Sequence, residues 1–181
     1  MPLCLRAPIL VRMYNHAEFL AHPGLAGPFG GLLDEYARAA EDFCKAVESV
    51  SVEAFLRQHD SPDPDCRSIQ AVCLHVLNSA RGYANYLRKA RNLAVPEIAR
   101  HSAPDLSKPL ATRSMLAAAL RYTEASVDGI QNATDAEILA LSIRVSWGPT
   151  LDPELLLEHA IVHLLRHRRQ IERWQKEKGA L

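Results

Sequence analysis

The chain has 181 residues, 21 Lys+Arg against 21 Asp+Glu for a formal net charge of +0, and 48% hydrophobic but only 6% aromatic residues. That length suits one domain with a substantial core, and the balanced charge leaves no global field to recruit nucleic acid or an anionic membrane. Small molecules are therefore the expected partners, and abundant alanine and leucine with little Val-Ile-Thr alternation predict an all-α chain.

Residues 1–30 contain Pro2, Pro8, Pro23 and Pro28 together with Gly24, Gly27 and Gly30, and read as an irregular leader with one short helix from Asn15 to Leu20. Pro2, Arg6, Pro8 and Arg12 interrupt any signal-peptide core. Nothing in the chain approaches the ~20 consecutive apolar residues of a membrane span, so a soluble, cytoplasmic protein is expected. Cys4, Cys44, Cys66 and Cys73 form no C-x-x-C pair and are expected to be reduced, mostly buried thiols.

The helical bundle is read over residues 31–178. From Gly31, the apolar residues Leu32, Leu33, Tyr36, Ala40, Phe43, Val47 and Val50 recur every three or four positions, predicting helix one. Ser51 caps a short turn, and Ser61-Pro62-Asp63-Pro64-Asp65 breaks the chain. Helix two starts near Arg67, buries Ile69, Val72, Val76, Ala80, Tyr83 and Leu87, and ends near Asn92.

Pro96, Pro104 and Pro109 mark the connection to helix three, which carries Met115, Leu116, Ala119, Leu120, Thr123, Val127 and Ile130. About 18 extended residues at ~3.3 Å each reach roughly 60 Å, whereas a helix of ~24 residues is about 36 Å long. A linker of that reach allows helices two and three to lie parallel, joined by a long crossover. Ser142 to Thr150 holds Trp147-Gly148-Pro149 as a loop or short extended piece. Helix four opens with Asp152 as cap and Pro153 at the first helical position.

Helix four carries the chemistry. His163 and His167, four apart, share one helical face and can point at one ion. Leu156, His163, Gln170 and Trp174 lie on one stripe, so the imidazoles face the core, where unpaired polar groups are costly. The third ligand must come from another helix, and His75, beside the small residues Ala71, Ser79 and Gly82, is the mid-helix histidine available. Those small residues fit either space for an ion and ligand or close helix packing. His159, one turn earlier, competes with His167 or serves as a pocket group. His16, His22, His59 and His101 fall in loops or helix ends and read as surface histidines. The run Arg166, Arg168, Arg169, Arg173, Lys176 and Lys178 reads as a solvated face near a helix C-terminus, with Arg166 or Arg169 as an alternative clamp for a substrate carboxylate.

Two segments, Ile69-Gln-Ala-Val-Cys-Leu-His75-Val-Leu and Leu155-Leu-Leu-Glu-His-Ala-Ile-Val-His163-Leu-Leu-Arg-His167-Arg168-Arg169-Gln170, carry a family likeness. The chain resembles the DinB/YfiT-like superfamily of bacterial metal-binding four-helix bundles, whose H-x-x-x-H-R-G-Q signature the second segment matches except for Arg169 in place of glycine. The resemblance runs from about Gly31 to Trp174. It implies His75, His163 and His167 as ligands of a divalent metal, zinc or nickel first and iron next, and a bundle with a long crossover between helices two and three. Arg169 puts the family's packing or dimer contacts at that position in doubt, and a homodimer is one open assembly state.

Three neutral imidazoles with an open position suit a catalytic ion. Thiol-dependent transferases and isomerases of the superfamily imply a metal-dependent thiol S-transferase acting on a small electrophile, with a low-molecular-weight thiol such as bacillithiol, mycothiol or glutathione as cosubstrate. The alternatives are a metal-dependent small-molecule hydrolase, with Glu158 or Glu124 as base, and a non-catalytic metal-binding bundle. An iron-dependent sulfoxide synthase would need a further catalytic domain. His159, Glu158 and Arg166 are the candidates for a direct catalytic part, none of them placed by spacing alone.

Overall fold

The computed structural model describes residues 14–179, with side chains through Glu177. The readings of Cys4 as a reduced thiol and of residues 1–13 as lacking a signal-peptide core lie outside the described residues. Four long helices dominate: α2 (Gly27–Glu48), α4 (Ile69–Ala90), α5 (Ala111–Val127) and α7 (Pro153–Gly179), with short helices α1 (His16–Phe19), α3 (Val52–Leu56) and α6 (Asp135–Ala140) between them. The fold is all-α, with one two-stranded hairpin, β1 (Ile143–Arg144) and β2 (Thr150–Leu151), ahead of α7. No helix among the described residues is long and apolar enough to cross a membrane.

Side-chain caps set most helix starts. Ser51 Oγ accepts from Ala54 N at 3.1 Å, Ser68 Oγ from Ala71 N at 3.0 Å, and Asp152 Oδ1 from Leu155 N at 2.9 Å. The last cap stands before Pro153, as expected. α2 begins at Gly27, ahead of Gly31, because Pro28 presets the first turn. Its Gly30 is required by packing: a Cβ there would sit 1.7 Å from the Leu25 carbonyl oxygen. The segment before α2 is not inert, since α1 places Phe19 and Leu20 in the core. α6 was not anticipated, although Thr134 and Glu137 form a capping box that marks it.

Hydrogen bonds trace the crossover residue by residue. Arg88 Nε donates to the Ala94 carbonyl at 2.6 Å, Asn78 pairs with both the N–H and the carbonyl of His101 at 2.9 and 3.0 Å, and Gln70 donates to the Leu106 carbonyl at 2.9 Å. The linker thus runs back along α4 from its end to its start. α5 then runs parallel to α4, Tyr122 donating to Asn85 at 2.8 Å and Arg91 to the Ser126 carbonyl at 2.5 Å. α2 and α7 form the second parallel pair, with Asp42 against Arg168 at 3.1 Å and the Ala46 carbonyl against Gln175 at 2.9 Å. The two pairs are mutually antiparallel. They bury one core that includes Tyr36, Phe43, Val76, Leu120 and Leu164.

Charged groups pin the N-terminal segment to this frame. Arg113 of α5 bonds both carboxylate oxygens of Glu48 at 2.5 and 2.8 Å and reaches Glu18 at 2.9 Å. Glu124, 6% exposed, accepts from the Ala21 and His22 N–H groups at 2.7 Å each. Glu124→Ala strips both N–H groups of their partner and is expected to lower stability by about 1–3 kcal/mol, read as a reduced urea midpoint at unchanged m-value.

Candidate metal centre

α4 and α7 run antiparallel, with Tyr83 of α4 against His159 and His75 against His167 of α7. His75 projects from α4 toward His163 and His167 on consecutive turns of α7. The Nε2 atoms of His75 and His163 lie 2.9 Å apart. The ring centroids are 4.9 Å apart for His75 and His163, 5.0 Å for His75 and His167, and 4.6 Å for His163 and His167. One donor atom from each ring lies within 4.8 Å of the others, and no Cys, Asp or Glu among the described residues joins the cluster.

The group fits a divalent ion. Two imidazole ligands with bonds of about 2.1 Å stand roughly 3.0–3.4 Å apart for angles between a right angle and tetrahedral, close to the His75–His163 separation. Without an ion, one ring must donate its N–H to the other. Ring orientation is set from outside the cluster. His167 Nδ1 meets Gln170 Oε1 at 3.0 Å, which leaves its Nε2 for the ion, and His75 Nδ1 has Asp65 Oδ2 at 3.5 Å. The Gln170 acceptor behind His167 fixes that ring's tautomer and raises its basicity.

Burial and neighbouring charge oppose protonation of His163 and His167. Burial, reinforced by His167 and His75, drives the His163 pKa down from its ordinary 6.5 to about 3. Burial also lowers His167, which is 5% exposed, and His159, with the Arg166 guanidinium adding to both. Neutral imidazoles are the form that binds metal.

The surroundings are asymmetric. On one side a cleft of about 410 Å³ is lined by the three histidines with Ser61, Asp63, Cys66, Arg166, Gln170 and Arg173. On the other, an aromatic wall closes the site: Tyr83 stands edge-on to His163 at 5.7 Å, and the Trp147 ring stacks on His159 at 5.0 Å and 21°. The β1–β2 hairpin delivers Trp147, and Ser146 N donates to the Tyr86 hydroxyl at 2.9 Å. A Cβ at Gly82 would meet nothing within 4 Å, so that small residue is not there for close helix packing.

The remaining candidates separate. His159 lies 6.3 Å from His163 by ring centroid, next to the cluster and not part of it. Arg166 is exposed on the cleft rim, Glu158 is exposed outside it, and Arg169 lines a neighbouring surface groove. Glu124 is committed to the backbone of Ala21 and His22. Arg168, read as part of a solvated basic face, turns inward to Asp42. His59, read as a surface histidine, stacks on Trp174 at 4.0 Å. Cys44 and Cys73 are buried thiols, and burial pushes Cys44 up to about 12. Asp65 and Trp147 carried no site signal in the sequence, since a breaker and a loop place them. Gln170 was legible as the residue one turn beyond His167.

A family model described as the DinB family matches residues 13–180. No curated protein and no solved structure matches the chain.

Two expectations follow from this geometry. Gln170→Ala should leave the fold intact yet weaken divalent-metal affinity roughly 10–100-fold, read by competition with a chromophoric chelator. In the metal-free protein the unfolded chain takes up a proton near pH 6.5 that folded His163 refuses until about pH 3. Stability should therefore fall on acidification through that window, by up to about 1.4 kcal/mol per pH unit, and His163→Leu should flatten the slope of urea midpoint against pH.

Proposed function

Because the chain belongs to the DinB family and its histidines can hold a divalent ion, we propose that it is a metal-dependent thiol S-transferase acting on small electrophiles. One observation carries the reading: three imidazoles converge beside an open cleft, with no carboxylate or thiolate among the described residues joining the set. Zinc and nickel suit such ligands first and iron next. A divalent ion there supplies Lewis-acid activation that brings the pKa of a coordinated thiol toward neutrality.

The chain's own residues supply the rest. Gln170 and Asp65 orient the ligand rings. Tyr83, whose phenol is pushed up to about 12 by burial, flanks His163 edge-on and gives that side an apolar lining. His159, whose protonation is opposed by burial and by Arg166, is the group we assign to accept the thiol proton. The thiol sulfur then bonds to the electrophilic carbon as the leaving group departs. With chlorodinitrobenzene as electrophile, an S–C bond forms, the C–Cl bond breaks and chloride is released. Glu158 has no place in this scheme, since it faces solvent.

Metal-loaded protein should consume a low-molecular-weight thiol with chlorodinitrobenzene or monochlorobimane. Chelation, or His163→Ala, should return the rate to background; activity that survives both rejects the reading, and thiol-independent ester or amide turnover replaces it with a hydrolase. His159→Ala should lower kcat on the order of 10²-fold at unchanged metal content, whereas a loss of metal would make His159 a ligand instead.

A further inference from the structure

Most described arginines are engaged. Arg38 holds Glu35, Arg113 holds Glu48 and Glu18, Arg168 holds Asp42, and Arg91 holds the carbonyls of Ser126 and Asp128. Arg166 and Arg173 differ: among the described residues, no carboxylate or carbonyl bonds either one, yet both line the histidine cleft. Seven residues apart, they lie two turns along one face of α7, with His167 and Gln170 between them in sequence. Neighbouring acids are spoken for, Glu172 by Arg168 at 3.3 Å and one oxygen of Asp63 by the Asp65 N–H at 3.0 Å. Arg166 and Arg173 thus bring two guanidinium groups to a cleft whose lining holds one carboxylate, Asp63. Guanidinium forks match the planar geometry of a carboxylate.

We propose that Arg166 and Arg173 form an anion subsite of the histidine cleft, so that the small molecule reaching His75, His163 and His167 is a carboxylate-bearing thiol. Its carboxylate rests on the guanidinium pair while its sulfur points at the histidine cluster. The sulfur half of this assignment rests on the transferase reading above; the carboxylate half rests on the arginines alone.

Cobalt(II)-loaded protein tests both halves, because sulfur ligation adds a near-ultraviolet charge-transfer band. Titration with 3-mercaptopropionate should show binding at least roughly tenfold tighter than with 2-mercaptoethanol at low ionic strength, and salt should shrink the gap. In R166Q/R173Q the gap should close, with mercaptoethanol affinity and cobalt content unchanged. R169Q, which alters the neighbouring groove, should retain it. Equal affinities in the wild type, or a preference that persists in R166Q/R173Q, overturns the subsite. If neither thiol produces the band, the transferase reading fails, and calorimetric titration with succinate decides the subsite separately. Heat lost in R166Q/R173Q then supports it, and heat absent from the wild type or equal in both proteins overturns it.

Discussion

The antiparallel packing of α4 on α7 is the constraint on which the rest depends. It sets His75 Nε2 2.9 Å from His163 Nε2. Two imidazoles so placed within a packed bundle have unfavourable options apart from a shared proton or a shared cation, because an unpaired polar atom away from water is costly. The crossover is the topological counterpart of this contact. By returning the chain along the full length of α4 it makes α5 parallel to α4, and α2 and α7 then close the bundle as the second parallel pair.

Around that contact the charge is graded. Burial, with the neighbouring histidines, opposes protonation of His163 and His167. No acid enters the cluster itself, and the nearest carboxylate, Asp65, stands behind His75 at 3.5 Å. An ion held there would keep its full charge. The aromatic side formed by Tyr83 and Trp147 contributes low polarity, and the opposite rim contributes unengaged guanidinium groups.

Legibility followed the range of the interactions involved. Asp152 and Pro153, Ser51 and the periodic apolar faces are local devices, and each reads correctly from neighbouring residues. α6 was equally local, since Thr134 and Glu137 form its capping box, but six residues carry too little periodicity to stand out. The start of α2 moved to Gly27 because Pro28 presets its first turn, and Gly30 lets that turn approach the Leu25 carbonyl, a packing fact and not a periodic one. Asp65 lies in what reads as a breaker and Trp147 in what reads as a loop, and both gain a role only when α4, α7 and the hairpin come together.

By itself, the sequence determined the helical class, the capped starts, the shared face of His163 and His167, and a linker long enough to bring the chain back along α4. Each follows from spacing within one segment, where 3.6 residues per turn and the reach of an extended chain leave little freedom. Tertiary structure brought His75, the histidine that the sequence singled out, against that pair, and decided which acceptor meets the His167 ring, which arginines remain unengaged and which aromatic side chains flank the site. These depend on the register of one helix against another, and that register is set by how the whole core packs.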